Sequence, residues 1–403
     1  VLVLVLTFNL RGDMKIAVIG AGTASCIFNM VACRMINKPV EITCIHDPSV
    51  PTIEVGETAS PAILETLQNC LDFKVEDDLN ELDGTLRTGV KHFWADASND
   101  FFIDYDRQFG IHINSTKLSG FVLARLKKLY PFFKEQHDTV TKVNKVTGEV
   151  TTKTGTEQYD LVVDCTGFAN PALFETGEIV KAKFAAVNSV IIWPEWEHYF
   201  EYYTTAKVHN NGWMFGVPLT KRKAWGYLYN NELTTYEEAK QEFKQIKNLD
   251  DETVNKCRSF SWHQYYRVKA IDHKVLYLGN NLFFFEPSGA QPLHYYLNIS
   301  RIIAEDIGTH PFDARYQKMI NDYHVQMMGQ LQDVTAITYA GENRLESNYW
   351  KETKEQAINT LKNSVDWRRW LNNDLGVDHY FTMPKELMAQ YIFKFGLDLS
   401  QFR

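Results

Sequence analysis

The stretch from Met14 to Asp47 constrains this chain more than any other. Lys15-Ile16-Ala17-Val18-Ile19 is a short apolar, β-branched run ending in Gly20, and it reads as a buried strand. Gly20-Ala21-Gly22-Thr23-Ala24-Ser25 then turns into a helical pattern through about Met35. Val40 to Ile45 is a second strand, closed by His46-Asp47-Pro48. Strand, glycine turn, helix and strand within about 30 residues form a βαβ unit and imply a parallel strand pair. The turn has the form Gly20-x-Gly22-x-x-Ser25. A helix N-terminus presents unpaired N–H groups and the positive end of its dipole, which suits a pyrophosphate. Gly20 permits the tight turn, Gly22 lets a phosphate approach the backbone, and Ser25 keeps helix and strand close. The sequence therefore predicts dinucleotide binding at Gly20, Gly22, Thr23, Ala24 and Ser25. Asp47, 25 residues after Gly22, lies near the end of the second strand, where an acidic side chain binds a ribose hydroxyl. Its rival role is a turn-forming Asp before Pro48.

The rest of the chain is predicted to form one interleaved α/β body. Pro61 to Cys70 and Lys117 to Leu129 read as helices, Thr85 to Trp94 as a strand, and Val140 to Lys153 as a hairpin. Asp77 to Asp83 reads as a solvated acidic run. Residues 185–229 are mostly β-like, Tyr236 to Ile246 is helical, and Val275 to Gly279 is a strand followed by a helix to about Ile307. Residues 313–372 are mainly helical. Asp160 to Cys165 is a buried strand ending at Thr166-Gly167. It resembles the later strand of flavin proteins of the two-dinucleotide-fold type, in which the glycine lets the chain pass close to the cofactor. With the N-terminal unit, that raises FAD above NAD.

Composition narrows the class. A net charge of −8 with no basic stripe argues against a dedicated nucleic-acid binder. No apolar run approaches the roughly 18 residues of a membrane span. Aromatic residues make up 13% of the chain, a supply rich enough to line an apolar pocket. The six cysteines are scattered without a CxxC pair, so they suggest neither a zinc site nor a disulfide framework, and a cytoplasmic protein with reduced core thiols is expected. Residues 1–13 are apolar at first but lack a basic leading region and a cleavage site; they are expected to be an extension ahead of a start at Met14.

Several further segments resemble the flavin-dependent halogenases of the tryptophan-halogenase type. Val55-Gly56-Glu57-Thr58-Ala59-Ser60-Pro61 is similar to that family's VGEATIP segment beside the flavin, which adds Glu57 and, with the later strand, Gly167 to the expected FAD contacts. Gly212 to Leu219 is similar to the WxWxIP signature, here as WxFxVP. Phe284-Phe285-Glu286-Pro287 resembles the FLEP run, and Asn343 to Trp350 the RDDTPFW stretch. The resemblance implies a glutathione-reductase/hydroxylase-like FAD-binding domain over residues 14–310, with β substrate regions at about 85–115 and 175–260, and a helical C-terminal region over 311–403. It also implies a two-component reaction. Reduced FAD (FADH2) from a separate NAD(P)H-dependent flavin reductase, with O2 and a halide, gives hypohalous acid, which travels through a tunnel to a small electron-rich aromatic substrate. Trp213, Phe215 and Pro218 would wall the flavin from that substrate. A homo-oligomer is compatible with this scheme.

The departures from the family are as informative. The family's catalytic lysine falls on Arg87, which stays protonated and is a poor nucleophile but can still orient hypohalous acid. Lys91 is expected on the same strand face, about 13 Å further along at ~3.3 Å per residue, and takes over only if the site has moved. The family's catalytic glutamate falls on Gly289, while Glu286 matches the first, structural glutamate and remains a candidate. Ala290 and Gln291 N–H groups are expected to face a halide, whereas Pro292 has none to give. Only seventeen residues separate Trp94 from His112, where tryptophan-specific relatives carry a longer insertion, so a substrate other than free tryptophan is expected. An FAD monooxygenase, or a flavin-binding protein without halogenation, stays open beside the halogenase.

Overall fold

In the computed structural model the described residues are 14–50, 56–96, 100–196, 201–307, 312–373, 379–381 and 383–402. The expected extension over residues 1–13, and Val55 of the flavin-side segment, lie outside them. Strand β1 (Met14–Ile19), helix α1 (Thr23–Met35) and strand β2 (Val40–His46) form the anticipated βαβ unit. β1 pairs in parallel with β2 on one side and with Leu161–Asp164 on the other. Phe133–His137 and Val275–Tyr277 extend this parallel sheet at its two sides, and Ile271–Asp272 closes the second side antiparallel. Ile16, Ala17 and Val18 have no accessible surface, as expected of a strand covered on both faces. Residues Ala24 to Cys33 of α1 are all buried, between this sheet and helix Gln291–Asp306.

A second sheet of 7 strands lies beside the first. Its order runs Arg258–Ser261, Ser189–Glu195, Lys223–Tyr229, Gly212–Pro218, Thr204–His209, Gly89–Phe93 and Phe101–Asp104. A small sheet of Gly56–Ala59, Gly110–Asn114 and Thr85–Arg87 packs against the second sheet at strand Gly212–Pro218. The C-terminal part is helical, led by Ala314–Ala340 and Asn348–Asn363, and ends in Lys385–Lys394. Among the described residues, no helix is long and apolar enough to cross a membrane. All six cysteines are unpaired, four of them buried, and burial pushes the Cys44 thiol up to about 12.

Two expectations are corrected. The acidic run 77–83 is not simply solvated: Asp78 and Asp83 are buried, Asp78 pairs with Arg125, and Asp83 with Lys117 at 2.9 Å. Their partners come from helix Ser115–Leu129, far along the chain, which is why the local pattern misleads. Thr85 to Trp94 is not one strand either. It breaks at Thr88, whose N–H and hydroxyl both donate to the Tyr202 carbonyl, at 2.7 and 2.8 Å. Gly89 then crosses so close to the next strand that a Cβ there would lie 2.2 Å from the Ile103 oxygen. Arg87 and Lys91 therefore belong to different sheets.

Candidate active site

The glycine turn has the form of a phosphate cradle. Gly20 has φ +96°, and a Cβ there would sit 2.8 Å from the Cys165 carbonyl oxygen, so only glycine fits. Gly22 is the N-cap of α1, with extended backbone, no side-chain cap and no acidic residue in the first turn. The first N–H groups of the helix are thus left to an outside acceptor. A Cβ on Gly22 would meet nothing within 4 Å, and the same holds for Gly167, which has φ +92°. Thr23 donates its hydroxyl to Glu57 Oε1 at 2.8 Å, while Glu57 Oε2 is buried without a partner. Burial pushes the Glu57 carboxyl up to about 7. Uncapped N–H groups, open space before both glycines and an orphaned buried oxygen together fit the phosphate and ribityl portions of FAD.

Ser25 and Ala24 point elsewhere. Ser25 is fully buried against the sheet, accepting from Asn29 Nδ2 at 3.2 Å and lying 3.9 Å from the Cys44 sulfur. Ala24 packs under Gly279, whose own Cβ would lie 2.9 Å from it. Their side chains shape the cradle from beneath. Asp47 ends β2 as a turn former: one carboxylate oxygen accepts from the Ser49 N–H and hydroxyl at 2.9 and 2.6 Å, the other from Thr139 at 2.7 Å. These bonds, that of the Ser49 hydroxyl foremost, hold the carboxyl down at about 2.

From Glu57 and Thr58 a cavity of about 280 Å³ runs between the sheets. Trp213 and Phe215 line it, and Pro218 does not. Pro218 closes its strand, its carbonyl accepting from the Thr85 hydroxyl at 2.7 Å. Phe215 lies directly opposite Gly226, and Gly216 opposite Trp225. A Cβ on Gly226 would come 2.1 Å from the Phe215 ring, and one on Gly216 2.5 Å from the Trp225 ring. Each aromatic ring therefore lies across a glycine of the facing strand, Phe215 on the cavity face of the sheet and Trp225 on the other.

Trp213 is tied deeper into the protein. Its Nε1–H donates to the Tyr339 hydroxyl at 2.7 Å, which donates to Glu286 Oε1 at 2.9 Å. Glu286 is 2% exposed, its Oε2 has no partner, and burial pushes its carboxyl up to about 8. It stands behind the cavity wall and does not line it. Trp94 packs edge-on against Trp213, Tyr339, Trp350 and Phe395 at 5.7–5.8 Å between ring centroids.

Arg87 reaches the cavity and is 1% exposed. Its Nε and Nη1 have no partner, and its guanidinium lies 5.1 Å from the Tyr105 ring centroid. Near it, His112 bridges the small and large sheets between the Thr85 and Thr204 hydroxyls, each at 2.9 Å. The Thr85 proton goes to Pro218, so Thr85 accepts from His112 Nδ1–H and leaves Nε2 to accept from Thr204; this tautomer is assigned from the network. Burial first, and Arg87 and Lys223 second, hold His112 well below its usual range, so it is neutral. Lys91 does not line the cavity; it pairs with Asp100 at 2.6 Å near the surface. The strand break at Thr88 carries it away from Arg87.

Gly289 lines the cavity with φ +70°, and a Cβ there would lie 3.2 Å from the Tyr391 hydroxyl. A glutamate at this position would be strained by the positive φ and would crowd the Tyr391 hydroxyl of helix Lys385–Lys394. The backbone at Ala290 and Gln291 leads into helix Gln291–Asp306, with Pro292 on the cavity wall. The Gln291 side chain turns away, donating to the Met383 sulfur at 3.6 Å. Sequence reasoning missed His92, Tyr339 and Tyr391. His92 carries a local signal, since alternation places it opposite in facing to Lys91 and thus inward. Tyr339 and Tyr391 carry none, because only the tertiary fold brings them here.

Comparison with known proteins agrees with this architecture. A family model described as tryptophan halogenase matches residues 15–136 and 133–387. A tryptophan 6-halogenase of Streptomyces albogriseolus is 20% identical over 437 residues, spanning 88% of this chain and 81% of that one. A tryptophan 7-halogenase of Lentzea aerocolonigenes is 20% identical over 451 residues, spanning 88% and 82%. The solved structure of a tryptophan halogenase from Shewanella frigidimarina superposes with a TM-score of 0.84 at 17% identity, covering 96% of this chain and 90% of that one. A flavin-dependent halogenase from Brevundimonas gives 0.77 at 14% identity, covering 96% and 92%.

Proposed function

The chain belongs to the tryptophan halogenase family of flavin-dependent enzymes, and on that premise we propose that it halogenates an electron-rich aromatic compound other than free tryptophan, using FADH2, O2 and a halide. The observation that carries this reading is the continuous cavity from Glu57, beside the uncapped start of α1, past Trp213 and Phe215 to Arg87. Reduced FAD, received from a separate flavin reductase, would supply two electrons when bound, and the halide two more, for the four-electron reduction of O2 that gives hypohalous acid and water. The N–H groups of α1, with Gly20, Gly22 and Gly167, would hold the nucleotide; Glu57 and Thr23 would hold its ribityl side.

The chain's own residues then do three things. Trp213 and Phe215 place a dry aromatic wall in the cavity, and that wall disfavours direct oxygen transfer to the substrate. The N–H groups at Ala290 and Gln291 would receive the halide. Arg87 stands where the family has its lysine; always protonated, it acts by charge and hydrogen bonding and takes no part in proton transfer. Aromatic substitution transfers the halogen of hypohalous acid to the ring; the hydroxide left behind takes up the ring proton and leaves as water.

Purified protein with a flavin reductase, NADH, FAD and each halide in turn, offered phenols and indoles, tests the proposal. Halogenated product that catalase does not abolish is expected. Hydroxylated product without halide would make it a monooxygenase, and peroxide alone a flavin-binding protein; either result overturns the proposal.

A further inference from the structure

Arg87 leaves the cavity with an unbalanced positive charge. We propose that the cavity selects aromatic substrates that bear a carboxylate and no free ammonium group, and that Arg87 holds that carboxylate. This rests on the reading that the cavity receives the aromatic substrate.

Three observations support it. First, Arg87 is 1% exposed, its Nε and Nη1 have no partner, and among the described residues no carboxylate lies within ion-pair distance of it. A buried cation without an anion is strongly unfavourable, and such an orphaned group marks the place of a missing one. The planar guanidinium matches a carboxylate through two parallel N–H···O bonds, a geometry that a spherical halide uses poorly. Second, His92 also lines the cavity, and both its ring nitrogens are buried without partners. Burial first, then the charge of Arg87, holds it down at about 3. It is therefore neutral and offers one further N–H donor at no cost in positive charge.

Third, the ionisable lining decides against a zwitterion. Among the described residues, Glu57 is the only carboxyl on the cavity wall, and it stands at the cofactor end, bonded to Thr23. An ammonium beside the carboxylate would face Arg87 with nothing to balance it. Most of the remaining wall, including Trp94 and Trp213, is apolar and suits the ring, and its polar residues, among them Thr204, Thr205 and Asn280, carry no charge.

The test compares three ligands on the FAD-loaded protein by calorimetry, without reductase, in buffer free of halide and carboxylate. Indole-3-acetate is expected to bind at least about tenfold more tightly than indole-3-acetamide or tryptophan, a difference of about 1.4 kcal/mol. In Arg87→Gln the acid and the amide are expected to bind alike, with FAD affinity unchanged. Arg87→Lys, which keeps the charge and loses the fork, should give an intermediate preference. Equal binding of acid and amide by the wild-type protein would overturn the proposal without reference to any variant. So would a bromide affinity that disappears in Arg87→Gln while acid and amide never differed, because Arg87 would then be a halide site. Binding is read without turnover, so failure to halogenate any compound would sink the enzymatic reading and leave this preference measurable.

Discussion

Glu286→Gln isolates the buried carboxyl behind Trp213. In the fold this group is held at about 8 by burial, against an ordinary value of 4.5. Below about pH 4.5 both folded and unfolded chains carry the proton, and the group has no net effect. Above that, the unfolded chain releases the proton while the folded chain retains it, so stability falls as pH rises until about pH 8. At 1.36 kcal/mol per unit, the loss between about pH 5 and about pH 8 is roughly 3–4 kcal/mol. A glutamine is neutral throughout and can still accept the Tyr339 hydroxyl; its amide nitrogen replaces the orphaned oxygen at a pH-independent cost of about 1–3 kcal/mol. Urea unfolding followed by tryptophan fluorescence, at unit steps across this range, should show the variant gaining on the wild type with each step. Infrared difference spectra between the two proteins should show a protonated carboxyl near neutral pH. A variant-to-wild-type difference that stays flat within ~1 kcal/mol would refute the reasoning, for it would mean that the carboxylate is ionised in the fold and that solvent or a cation reaches Oε2.

Three further outcomes follow from the site. Gly22→Val projects into open space, so the FAD-free protein should keep its stability to within ~1 kcal/mol, while FAD affinity by fluorescence titration falls at least about tenfold. Glu57, held at about 7, should ionise as pH rises through neutrality and repel the nucleotide phosphates. FAD affinity should therefore drop about three- to tenfold between about pH 6 and about pH 8, and Glu57→Gln should flatten that dependence. Lys91→Ala, at the surface beside Asp100, should change turnover by less than about twofold in the coupled assay, whereas a tenfold loss would return Lys91 to the catalytic set.

The parts of the molecule legible in the sequence are those built from neighbours along the chain. The βαβ unit could be read because Ile16 to Ile19, the glycines and the small residues of α1 are contiguous, and burial on both faces leaves an uninterrupted apolar run. Trp213 and Phe215 were legible as a motif, but the relay from Trp213 through Tyr339 to Glu286 was not, since its bonds span 126 and 53 positions. The single strand expected over Thr85 to Trp94 fails because one distant carbonyl, that of Tyr202, captures Thr88. Asp78 and Asp83 look like surface residues because a charge is tolerated inside only with its partner, and the partners lie on another helix. At position 289, where the resemblance leads one to expect a glutamate, the backbone has φ +70° and the Tyr391 hydroxyl stands 3.2 Å from where a Cβ would sit, a contact made only by the tertiary fold.

The two ring-over-glycine pairs, Phe215 with Gly226 on the cavity face and Trp225 with Gly216 on the other face of the same two strands, bear on how this part of the sheet can change over time. Neither glycine can acquire a side chain while its ring is in place, and neither ring can shrink without opening a hole. One pair shares its strands with the other, so a slip of one residue would collide both at once. Variation at these four sites should therefore be inherited in concert: a lineage changes either pair by compensated double replacements, and the single steps between are closed to it.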